Sequence, residues 1–105
     1  MVFIESPWFS KWRDGFLDDE AFSALLAALE RDPLVGAHLG HGLRKVRIAL
    51  PGRGKRGGGR VIYLYRAAHE RIHLLYGYAK NVQVDLTKDQ LRRLITALDE
   101  ELGNG

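Results

Sequence analysis

The sequence predicts an α+β fold: a small antiparallel sheet of about four strands, with two helices before the main strands and one after them. Three observations carry this. Between Leu43 and Lys80 stand three β-rich runs, the first of them alternating apolar with mostly basic residues at the period of a strand. Upstream, Phe22, Leu25, Leu26 and Leu29 stand at i, i+3, i+4 and i+7. Downstream, Leu91, Leu94, Ile95, Leu98 and Leu102 make a second helical stripe.

Each element has its own local reason. "VFIES" is a short apolar run that pairs as a strand. "PWFSKWRDGF" opens a short helix, with Pro7 in the first turn and Gly15 at its end. The next helix is capped by Asp18 and stopped before Pro33. "LVGAHLGHG" reads as a glycine-broken connection. In "LRKVRIAL", Val46, Ile48 and Leu50 alternate with Lys45, Arg47 and Ala49, giving one apolar and one basic face. "PGRGKRGGG" is loop, since Pro51 ends the strand and five glycines follow. "RVIYLYRA" and "RIHLLYGYAK" flank the turn-like "AHE" as an antiparallel hairpin. Thr87 and Gln90 form the T-x-x-Q capping box of the last helix. The expected order is β-α-α-β-β-β-α.

At 105 residues the chain has the length of one domain, 1–105, with a modest core that favours surface sites over deep cavities. It contains no cysteine, which excludes disulfides, thiol catalysis and cysteine-zinc sites. The first residues lack the pattern of a signal peptide, and no run approaches the roughly 18 apolar residues of a membrane helix. These features point to the cytoplasm. The formal net charge is +3, but its distribution says more. From Leu43 to Arg60 the cations Arg44, Lys45, Arg47, Arg53, Lys55, Arg56 and Arg60 occur with no acid, whereas Asp18, Asp19, Glu20, Asp99, Glu100 and Glu101 lie outside. A basic middle between acidic ends points to a polyanion partner on one face.

Gly52, Gly54 and Gly57 spell G-x-G-x-x-G, the fingerprint of a dinucleotide-binding turn. That motif needs a helix after it, whose N-terminus holds the pyrophosphate; here a strand follows, so no cofactor is expected. His38 and His41 have H-x-x-H spacing in a glycine-rich loop with no third ligand nearby, so they read as ordinary surface or satisfied histidines. No serine has the G-x-S-x-G context of a hydrolase. Tyr76 and Tyr78 share one strand face, the pattern of packing residues, while Tyr63 and Tyr78 are also the aromatics expected beside a nucleic acid. The basic loop, Lys45 and Arg47 before it and Arg60 after it form the expected RNA surface.

"LRKVRIALPGRGKRGGGRVIYLY", with "YAKNVQVDLT" before the last helix, resembles the RelE/ParE superfamily of type II toxins, closest to the HigB-like, RelE-type branch. The resemblance spans nearly the whole chain. It implies a RelE-like microbial ribonuclease-type fold and a ribosome-dependent mRNA endonuclease that works without metal or other cofactor. It further implies a cognate antitoxin, the ribosome and mRNA as partners, operator DNA only through the antitoxin, and no membrane. By position, Arg60 and Lys80 match the family's basic site, and Lys55 and Arg56 match its basic loop; these four are the expected catalytic residues. Lys45, Arg47, Arg53, Tyr63 and Tyr78 are the expected RNA contacts. Some relatives use a tyrosine near the C-terminus, whereas the last here is Tyr78. Two other readings stay open: a ParE-like gyrase inhibitor of the same fold, and a nucleic-acid-binding module without catalysis.

Overall fold

A computed structural model describes residues 1–50 and 58–102. The elements run β1 (Val2–Glu5), α1 (Pro7–Phe16), α2 (Asp19–Arg31), β2 (Ala37–Gly40), β3 (Leu43–Ile48), β4 (Gly59–Arg66), a single 3-10 turn at Ala67–His69, β5 (Arg71–Ala79) and α3 (Lys88–Leu102). The strands form one sheet in the order β1-β5-β4-β3-β2. This is the α+β arrangement expected, with two helices ahead of the main strands and one behind.

The helix starts follow their local chemistry. The Ser6 hydroxyl accepts from Phe9 N ahead of Pro7, and Asp18 accepts from Ala21 N at 2.7 Å. At α3 the capping box closes in both directions: Gln90 N donates to Thr87 Oγ1 and Thr87 N donates to Gln90 Oε1, each at 3.0 Å.

The sheet differs from expectation in two ways. It has five strands rather than four, because Ala37–Gly40, read as connection, pairs with Leu43–Lys45. That edge strand is only four residues long and glycine-flanked, so it carries almost no period-2 signal. The sheet is also mixed: β1 runs parallel to β5, with Val2 N donating to Glu70 O and Ser6 N to Leu74 O. Two helices intervene before the next strand, which lets the first strand return beside the last. Local alternation carries no information about that partner or its direction.

Pairing alternation divides the side chains between two faces. On one, Val61, Tyr63, Ile72 and Leu74 pack with Phe9 of α1 and with Leu25 and Leu29 of α2. On the other, Leu43, Ile62, Leu75 and Tyr78 pack under Leu94 of α3, with Leu91, Ile95 and Leu98 half-buried around it. Gly77 is required on the first face: a Cβ there would lie 2.2 Å from the Trp12 ring. Gly58, just before β4, has φ +51 and a would-be Cβ at 2.6 Å from Ile48 O, so only glycine fits that turn into the strand.

Candidate functional site

The β3–β4–β5 register assembles the basic site on the face that α3 only partly covers. Arg47 pairs with Arg60, and Arg60 pairs with Tyr78, so the three stand in one row across the sheet. One step along, Lys45 pairs with Ile62, which pairs with Tyr76. Ile62 and Tyr76 of this second row and Tyr78 of the first pack in the core under α3, while Arg47 at the far end of the first row is exposed.

Two like charges directly opposite one another destabilise a ladder. Arg47 is exposed, while Arg60 is only 9 % exposed, with Nη1 donating to Gly59 O at 3.0 Å. Among the described residues neither arginine forms an ion pair. A buried guanidinium without a carboxylate is expensive, and an anion bound over it would offset that cost.

Lys80 is exposed and follows the last residue of β5. Its backbone N–H donates to Gly58 O at 3.1 Å, which sets it level with the start of β4, as the sequence implies. Arg60 and Lys80 therefore occupy the same end of the β4–β5 ladder. Lys45 reaches a carboxylate: its Nζ lies 3.2 Å from Asp85 Oδ1. The expected contributions of Arg53, Lys55 and Arg56 fall outside the described residues.

The burial of Tyr63 corrects one expectation, and that of Tyr78 narrows another to its hydroxyl. Tyr63 is fully buried on the opposite face, where its hydroxyl donates to Pro33 O at 2.9 Å and accepts from Gly36 N at 3.0 Å. Burial raises its pKa and leaves its ring no open surface. Alternation places it there: Arg60 and Tyr63 are three residues apart, an odd step, so they point to opposite faces. Tyr78 does belong to the site face but is 3 % exposed, so its ring has no open surface for a base. What it offers is its hydroxyl, 3.3 Å from Asp85 Oδ1. Burial first, then the Asp85 charge, push the Tyr78 phenol up to about 12. Asp85 in turn is held below the usual carboxylate range by the Leu86 N–H and by Lys45.

A family profile described as the RelE toxin of the RelE / RelB toxin-antitoxin system matches residues 1–101. The chain belongs to the RelE toxin family. The match takes in every described strand and nearly all of α3, so the basic row of this RelE-family toxin lies within the shared fold. Among its described residues no helix is long and apolar enough to cross a membrane.

Sequence reasoning missed Asp85 in this RelE-family chain. It stands in "VDLT", which drew attention only as a prelude to the last helix. An acid between two valines and the capping threonine reads locally as part of a helix start. Its contact with Lys45, forty positions away, needs the fold.

Proposed function

We propose that this protein is the single-domain, cytoplasmic toxin of a type II pair, and that it cleaves messenger RNA on the ribosome. The observation that carries the reading is the row Arg47–Arg60–Tyr78, in which two cations face each other without a carboxylate partner among the described residues. Such a row is matched to a phosphodiester. In the metal-independent route implied by the family resemblance, the ribose 2′-OH attacks its own phosphorus. The P–O5′ bond breaks, leaving a 2′,3′-cyclic phosphate and a 5′-hydroxyl.

Arg60 forms the charged floor beneath the phosphate, where low dielectric strengthens its field. Arg47, exposed beside it, reaches the neighbouring phosphate. Lys80, exposed at the end of the ladder, stabilises the charge that builds on phosphorus or carries a proton between the 2′- and 5′-oxygens. Lys55 and Arg56 supply further positive field. The ribosome orders the message and so supplies orientation that a small open surface does not. A cognate antitoxin would silence the toxin by covering this basic face, and operator DNA would be reached through it.

Mapping mRNA 5′ ends in a translating extract tests the reading. Wild type should create new 5′-hydroxyl ends, and Arg60→Ala should lower their yield by about 10²–10³-fold. Arg60→Lys should rescue poorly, because an ammonium lacks the planar two-pronged contact. An intact message, with growth arrest and poisoned gyrase instead, would replace this function with the ParE-like one.

A further inference from the structure

Asp85 answers to no role in the proposed cleavage, yet it sits where a ligand would. Its Oδ1 faces the Lys45 ammonium at 3.2 Å, the Tyr78 hydroxyl at 3.3 Å and the Leu86 N–H at 2.8 Å. An ammonium, a hydroxyl and a backbone N–H converging on one anionic oxygen is a donor set that proteins use for phosphate oxygens. Tyr78 also stands in the row of Arg60 and Arg47, so the spot adjoins the arginine pair.

The hold on that carboxylate is weak. The Asp85 side chain is 64 % exposed, and the Lys45 side chain is 24 % exposed. An ion pair so open to water contributes little, since solvent replaces most of what is lost on separating the two groups. On the N-terminal side of Asp85 the turn adds little apolar anchorage, with Val82 70 % and Val84 79 % exposed, while Leu86 on its other side packs half-buried against the core under α3. A stronger anion displaces the carboxylate at small cost, and the donors are already aimed.

We propose that Lys45 Nζ and the Tyr78 hydroxyl form a phosphate-binding site for single-stranded RNA that the free protein fills with its own Asp85 carboxylate. An RNA phosphodiester binds by taking the place of Asp85 on Lys45, one step along the sheet from the Arg47–Arg60 pair. The proposal rests on the RNA reading given above and adds a second phosphate position to it, with an internal competitor built in.

The test is direct binding of a 2′-O-methyl oligoribonucleotide, which the 2′-OH chemistry cannot cut, followed by fluorescence anisotropy without ribosomes. Asp85→Asn and Asp85→Ser both keep an oxygen that can accept from Leu86 N, and thermal unfolding checks that each is folded. Both should bind about two- to fivefold more tightly than wild type, the range set by losing one exposed pair. The slope of log K against log salt should steepen by about 0.7, the value for one more single-strand phosphate contact. Adding Lys45→Ala to Asp85→Asn should abolish the gain. A gain that survives Lys45→Ala would be the general effect of removing a negative charge and would overturn the site. Unchanged or weaker binding by the two folded variants would overturn it as well. The nuclease reading fails separately: tighter binding by Asp85→Asn, with mRNA left intact on ribosomes, would keep the phosphate site and remove the cleavage.

Discussion

On one side of the sheet Val61, Tyr63, Ile72 and Leu74 lie at zero exposure beneath α1 and α2. On the other side Ile62 is as fully buried and Leu75 is 8 % exposed in the core under α3, but the same sheet then continues into Arg60, Arg47 and Lys80. Two helices cover the centre of the first face, while a single helix covers part of the second. A chain of this size thereby makes both a core and a site from one sheet. Alternation supplies two faces, and the place where helical cover stops decides which residues meet a ligand. The Arg47–Arg60 opposition would be a defect within a covered face and is useful at its margin.

The largest loss is expected at Phe9, which is fully buried and touches Trp12 and Phe22 on the sealed face. Phe9→Ala should cost about 3–5 kcal/mol in chemical denaturation, through lost burial and the cavity left behind. Leu94→Ala, in the smaller core under α3, should cost about 2–5 kcal/mol. A loss under about 1 kcal/mol at Leu94, the range of surface positions, would mean that α3 is not structural cover.

On the open side the expectation reverses. Lys80→Ala should leave the unfolding midpoint near wild type, because the side chain is exposed and only its backbone joins the ladder. The yield of cleaved message should nevertheless fall by about 10²-fold, the usual size of a lost charge-stabilising or proton-carrying group. A parallel fall in ribosome association would reassign Lys80 from chemistry to grip.

Much of this was legible in the sequence, and the rest depends either on strand parity or on a distant partner. Asp18, Pro7 and the Thr87–Gln90 box each declare a helix start through neighbours within a few residues, so the helices could be placed. The positions of Arg60 and Lys80 followed from one hairpin whose two strands are close in sequence. Tyr63 stands close to Arg60 along the chain, yet its odd separation from Arg60 sends it to the other face of the sheet. Asp85 and the parallel β1–β5 pairing depend on contacts across 40 and about 70 positions, and local pattern has no access to those. The apolar periodicity describes what a face buries, not which distant segment arrives to pair with it.

A smaller effect separates the two tyrosines. Tyr63→Phe leaves Gly36 N and Pro33 O without their buried partner, which should cost about 1–3 kcal/mol while sparing RNA binding. Had Tyr63 been a base-stacking residue, the same change would barely alter either quantity, since phenylalanine stacks equally well.

The smallest effect reads the Asp85 contact from Tyr78. With its phenol pushed up to about 12 in the fold, against an ordinary value near 10, Tyr78 stays protonated over a range where the unfolded chain has begun to ionise. The sign follows: its contribution to stability is complete below about pH 10 and is lost as pH rises towards 12. Asp85 behaves oppositely, since its lowered pKa favours the fold above the ordinary carboxylate value and loses that contribution on acidification. Asp85→Asn should therefore lower the Tyr78 titration, followed by the NMR shift of its ring carbon, without returning it to 10, because burial remains the larger cause. A Tyr78 midpoint that does not move would place the carboxylate away from the hydroxyl in solution, and would leave burial alone to distinguish this tyrosine from an exposed one.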